Sequence, residues 1–331
     1  MGGLSWVLGM AVTAVLCAAL PWAVACLAVP ALEASPRAHA SNYRGKDVVL
    51  GLGAVWLAWG GGALLVGWLL GDLGAPPAAS ELMPVAGLLA LAAAAFGLFD
   101  DAYGSRDARG FAGHLRALRS GRLTTGGLKL IGIGIAALAA SRSVADVAPW
   151  GGSPAGVVVA GAAVALSANL VNLLDLRPGR ALKAYVVLAA AGAALAGAVA
   201  ARMHAGSGLG AGALLGVALA GPAIACWRYD LGERAMLGDA GANAMGAVAG
   251  LVIVSGLPLA GAALFAGVLL AVNLASELVS FSALIERVPV LAWLDGLGRG
   301  RASESADTDP HGGLASRYDG NGITGGGSRE D

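Results

Sequence analysis

Nine long apolar stretches leave this chain few ways to fold. They cover residues 4–29, 48–70, 82–99, 123–140, 155–174, 184–201, 209–227, 240–257 and 259–284, and each is at least 18 residues long. As helices, runs of this length match the hydrocarbon core of a bilayer. They are rich in Ala, Val, Leu and Gly and lack strand-like alternation, so helices are expected and a closed barrel is not. Only 13% of the 331 residues are charged and 57% are hydrophobic. An average soluble domain carries roughly 25% charged residues. The 53 glycines suit helices that pack closely in lipid. The expected architecture is all-α: a polytopic membrane domain over residues 1–294 with about nine transmembrane helices. A tail over 295–331, rich in Gly, Ser, Asp and Arg, is expected to be disordered.

The first stretch does not read as a signal peptide. No Lys or Arg precedes it, and it is longer than the roughly 7–15 residues of a signal core. Ala38-His39-Ala40 merely resembles a cleavage site. Cys17, Cys26 and Cys226 have no metal-type spacing and read as small packing residues. A formal net charge of zero offers no argument for a nucleic-acid partner.

The basic residues orient the chain. Loops 30–47, 100–122, 175–183 and 228–239, with everything after 284, hold 18 of the 21 Lys and Arg residues. The alternate loops hold Arg142 and Arg202, and Lys129 lies within the fourth apolar run. By the positive-inside rule the N-terminus is outside and the C-terminus cytoplasmic, in a multi-pass plasma-membrane protein. Asp100, Asp101, Asp175 and Asp239, at the borders of apolar runs, then all lie on the cytoplasmic side with Asn172, His114 and Lys183.

Several groups carry chemistry. Asp100 and Asp101 end the third run; neighbours on a helix point about 100° apart, so one can face a metal while the other faces an acceptor. Asn169, Asn172 and Asp175 are spaced to share one helix face. A polar stripe in a membrane helix packs inward or lines a wet cavity. Arg177-Pro178-Gly179-Arg180 follows, a turn whose two cations suit phosphate or serve as positive-inside anchors. Asp239 opens the eighth run between Gly238 and Gly241, as an N-cap or as a ligand. Lys129, inside a membrane helix entered through Thr124 and Thr125, calls for a buried anion or snorkels to the surface. The loop Asn42 to Lys46 is ordinary basic sequence. Glu277, with Asn273, Ser276 and Ser280, reads as interhelical glue or as part of a proton or substrate path. Hard carboxylates beside cations suit Mg²⁺ held through one or two carboxylates and substrate phosphates.

At these residues the chain resembles the polyprenyl-phosphate N-acetylhexosamine-1-phosphate transferase superfamily. Asp100-Asp101 after a membrane helix, Asn169-Leu170-Val171-Asn172-Leu173-Leu174-Asp175, and Gly238-Asp239-Ala240-Gly241 occur in that family's order. Lys129 sits where the family places a lysine. The resemblance spans roughly residues 40 to 285. It implies transfer of a sugar-1-phosphate from a UDP-sugar to a polyprenyl phosphate, with Mg²⁺, releasing UMP at the cytoplasmic face. Asp239 would then be the main Mg²⁺ ligand, and Asp100 or Asp101 would activate or position the lipid phosphate. Asn169, Asn172, Asp175, Arg177 and Arg180 would bind substrate, and Lys129 would meet a phosphate. Asp100 is the second metal candidate, and a homodimer is compatible with the family.

The chain departs from the family in four ways. Pro178 stands where the second motif carries a further acid, Ala242 replaces a serine, Phe281 to Arg299 holds no histidine, and a tenth helix is missing. A divergent transferase is expected. The alternative is a non-catalytic lipid-carrier-binding or scaffold protein in envelope assembly. A transporter would show repeat symmetry, and none is found.

Overall fold

The computed structural model describes residues 2–104, 110–203 and 208–299. It is mostly helical, and eight helices are long and apolar enough to cross a membrane by length and composition. That is the make-up of a multi-pass membrane protein.

The first span runs from Gly3 to Glu33: α1 (Gly3–Ala14), a wider π-type turn (Val15–Ala19) and α2 (Leu20–Glu33). After it come α3 (Ala54–Asp72), the single turn α4 (Pro77–Ser80), α5 (Leu82–Tyr103), α6 (Gly110–Arg119) and α7 (Thr125–Ser143). Then follow α8 (Pro154–Leu174), α9 (Arg180–Met203), α10 (Gly208–Leu231), α11 (Gly238–Ser255) and α12 (Leu259–Ser276). Two short helices, α13 (Phe281–Arg287) and α14 (Pro289–Gly296), close the described chain. The fourth expected span forms as α7, which carries Lys129 and Arg142 and is not one of these eight.

α11 is the axis of the bundle. Every residue from Ala240 to Ser255 is buried, and α8, α5, α9, α3 and α7 pack around it. Its small residues explain the position. A Cβ at Gly246 would lie 2.3 Å from the Ser167 carbonyl oxygen of α8, so only glycine permits that approach. On another side Gly97 of α5 meets Ala240, and a Cβ there would come within 2.5 Å of its backbone. Close backbone packing of this kind holds helices together where lipid supplies no hydrophobic contrast.

Three short strands depart from the all-α expectation. β1 (His39–Ser41) and β2 (Asp47–Leu50) form an antiparallel hairpin, and β3 (Ala235–Met236) pairs parallel to β2. The turn is local chemistry: Asn42 Oδ1 accepts from the amides of Arg44 (2.9 Å) and Lys46 (3.0 Å), and Gly45 takes φ +74°. The hairpin therefore fixes β3, and β3 leads straight into the start of α11.

The expected 26-residue run 259–284 breaks in two. α12 ends at Ser276, whose hydroxyl donates to the Asn273 carbonyl (2.6 Å). Ser280 caps α13 by accepting from the Ala283 amide (3.4 Å). Asp295, from which the tail was expected to run, belongs to α14. Residues 300–331 lie outside the described residues.

Candidate active site

The ends of α5, α7 and α11 meet at one end of the bundle and bring three charges together. Lys129 of α7 is buried, at 9% exposure. Its Nζ lies 2.7 Å from Asp100 Oδ2 of α5 and forms a second ion pair with Asp239 Oδ2 of α11. The ammonium therefore joins carboxylates from two other helices. Counting formal charges, the trio carries one negative charge in excess.

Asp101 faces elsewhere. Its Oδ1 accepts from the Asp239 amide (3.0 Å) and its Oδ2 from the Ala240 amide (3.1 Å). These are orphan N–H groups at the start of α11, so Asp101 caps that helix from a neighbouring one. Gly238 makes room: it takes φ +65°, and a Cβ there would lie 2.7 Å from Asp101 Oδ2. Asn243, one turn further on and buried, donates to the Asp239 carbonyl (2.7 Å). The local fold thus fixes Asp239 from both sides.

Asp175 joins this end of the molecule. Burial and the nearby carboxylates of Asp230, Asp239 and Asp101 push it well above the ordinary carboxylate range. Asp230 was not expected to take part. It is buried at the end of α10, and its Oδ2 accepts from the Gly179 amide (2.6 Å). The signal was available, since Asp230 also follows an apolar run.

The stripe Asn169, Asn172 and Asp175 does not act as one unit. Asn169 donates to Asn273 Oδ1 of α12 (2.6 Å), and Asn273 donates to the carbonyls of Leu166 (3.2 Å) and Leu269 (2.7 Å). That is interhelical glue. Asn172 lies in the last turn of α8, and its carbonyl accepts from the Asp175 amide (3.1 Å). Arg177 and Arg180 both turn to the C-terminal helices. Arg177 pairs with Glu286 of α13 and lies 5.2 Å over the Tyr43 ring. Arg180, 5% exposed, grips Asp295 of α14 with two bonds of 2.7 Å and reaches Ser282 Oγ at 2.8 Å. Burial raises the Asp295 carboxyl, but Arg180 and Arg299 outweigh it and hold it below the ordinary range. Lys183 donates to the carbonyls of Leu294 (2.9 Å) and Asp295 (2.6 Å) at the end of the same helix.

His114 of α6 approaches the start of α7, with its Nδ1 2.8 Å from Thr124 Oγ1. Thr124 caps α7 by accepting from the Gly127 amide (3.0 Å).

Among the described residues, no group of three or more His, Cys, Asp or Glu side chains is arranged to hold a metal on its own. The donor set fits a different mode. Asp100 and Asp239 already converge on one cation, and Mg²⁺ is commonly held through one or two carboxylates plus substrate phosphates. No protein-family model matches the chain, and no curated protein matches it.

Proposed function

We propose that the chain is a divergent polyprenyl-phosphate sugar-1-phosphate transferase, working with Mg²⁺ at the cytoplasmic face of the plasma membrane. The observation that carries this reading is Lys129 held between Asp100 and Asp239 at the meeting ends of three helices. A phosphate transfer from a soluble nucleotide to a lipid needs opposed charges at a membrane border. The side with 18 of the 21 basic residues is the natural cytoplasmic side, and it carries this site.

In the reaction, a phosphate oxygen of polyprenyl phosphate attacks the sugar-bearing phosphorus of a UDP-sugar. The bond from that phosphorus to the bridging oxygen breaks, and UMP leaves with that oxygen. Bound Mg²⁺ would supply neutralisation of phosphate charge. Lys129 meets the phosphate oxygens as a fixed cation. Asp239 and Asp100 hold that ammonium and offer hard oxygens to the metal. Asp101 keeps Asp239 in place through the cap on α11. Catalysis is then positioning and electrostatic neutralisation.

A panel of UDP-sugars with polyprenyl phosphate and Mg²⁺, read by UMP release from purified protein, tests the proposal. Asp239→Asn is expected to reduce release to background, and unchanged turnover would remove Asp239 from the site. A second reading, a non-catalytic lipid-carrier-binding protein, draws on Arg177 and Arg180, whose guanidiniums are taken up by Glu286 and Asp295. It is separated by exchange of labelled UMP into UDP-sugar, which a scaffold does not perform.

A further inference from the structure

A groove on the bundle's flank has no part in the proposed chemistry. It lies between α9 and α10 and encloses about 530 Å³. Val186, Ala189 and Ala190 of α9 line it opposite Gly216, Ala220 and Ile224 of α10. These walls are apolar, and Ile224 is 65% exposed. One end is different: Trp227 and Arg228 form its rim. From Gly216 to Arg228 the helix rises about 18 Å, a little over half of a hydrocarbon core of roughly 30 Å. The groove therefore occupies one leaflet. It is the leaflet on the site's side, because α10 runs on from Arg228 to Asp230.

Arg228 is the informative residue. Its guanidinium stacks 4.6 Å over the Tyr229 ring and donates to Tyr229 Oη (2.5 Å) and Cys26 Sγ (3.1 Å). It takes part in none of the ion pairs among the described residues. Arg234, 5.3 Å from the same ring, is paired with Glu33. Arg228 thus offers a cation without a counter-ion at the mouth of an apolar groove one leaflet deep. Basic pockets between membrane helices on this side suit lipid phosphates, and a tryptophan at the rim suits the headgroup level.

We propose that the α9–α10 groove binds an anionic glycerophospholipid, with an acyl chain along Gly216 to Ile224 and the phosphate on Arg228. This goes beyond the transferase reading and does not depend on it. None of the lining residues comes from α5, α7 or α11, which carry the Lys129 trio. A polyprenyl phosphate acceptor has its phosphate at that trio instead.

The test is native mass spectrometry of the purified protein titrated with phosphatidylglycerol or phosphatidylcholine. The wild type is expected to retain phosphatidylglycerol roughly fivefold better, the worth of one interfacial arginine. Arg228→Gln removes that preference. Gly216→Leu reduces retention of both lipids, and its Cβ enters open space, so the fold is kept. An unchanged preference in Arg228→Gln, or unchanged retention in Gly216→Leu, overturns the proposal. So does displacement of phosphatidylglycerol by an equal amount of undecaprenyl phosphate, or a dimer that Gly216→Leu dissociates.

Discussion

Lys129 sits where two carboxylates would otherwise face each other inside a membrane protein. Removing one member of a buried ion pair leaves an uncompensated charge and costs about 3–5 kcal/mol. Lys129→Met should therefore lower the thermal unfolding temperature strongly. Asp100 and Asp239 would then be left without their cation, and added Mg²⁺ should restore part of the loss, more than it adds to the wild type. Unfolding followed by tryptophan fluorescence with and without Mg²⁺ checks this. Equal Mg²⁺ effects on both proteins would mean that the two carboxylates do not share a cation. The split between Asp100 and Asp101 was legible, since adjacent helix positions point apart. Which acid did which job was not, because that depends on where Gly97 lets α11 approach. The stripe from Asn169 to Asp175 misled for a related reason. α8 ends at Leu174, and Asp175 turns out of the helix at ψ 34°. Helical spacing no longer describes its direction.

At the scale of elements, the runs of apolar sequence translate into helices almost one for one, and the surprises sit where polar chemistry interrupts them. The hairpin's turn at Asn42 to Gly45 was visible as residues, but its partner β3 lies about 190 positions away and no local pattern announces it. Pro222 within α10 shows how a break inside a helix is repaired. Proline has no N–H, so the Ala218 carbonyl four residues earlier loses its helical donor. Trp59 of α3 supplies one instead, donating from Nε1 at 2.7 Å. Trp56 is a ready control, because it is equally buried and its Nε1 has no partner. Each Trp→Phe change removes similar volume, but only Trp59→Phe strands a carbonyl. Trp59→Phe should be the less stable of the two by about 1–3 kcal/mol. Denaturation of both variants in one detergent measures the difference, and equal stabilities would mean the Trp59 bond contributes nothing.

The two ends of the helical bundle differ. Asp100, Lys129, Asp175, Asp230 and Asp239 gather at the first. The opposite helix ends, marked by Gly151 and Gly152, carry exposed Asp72, Glu81, Arg142 and Asp146. The asymmetry in loop charge is a property of the sequence alone, because it needs no knowledge of packing. It also ties orientation to the proposed function, since a UDP-sugar made in the cytoplasm reaches only sites that face it. Two exposed positions report on the two ends: Ser120, after α6, and Gly152, before α8. In a background without Cys17, Cys26 and Cys226, Gly152→Cys should react with a membrane-impermeant maleimide on intact cells. Ser120→Cys should react only after permeabilisation. The reverse pattern would turn the acidic end outward. The Lys129 trio would then face away from the nucleotide pool, and a UDP-sugar could not be its substrate, whatever the trio's geometry.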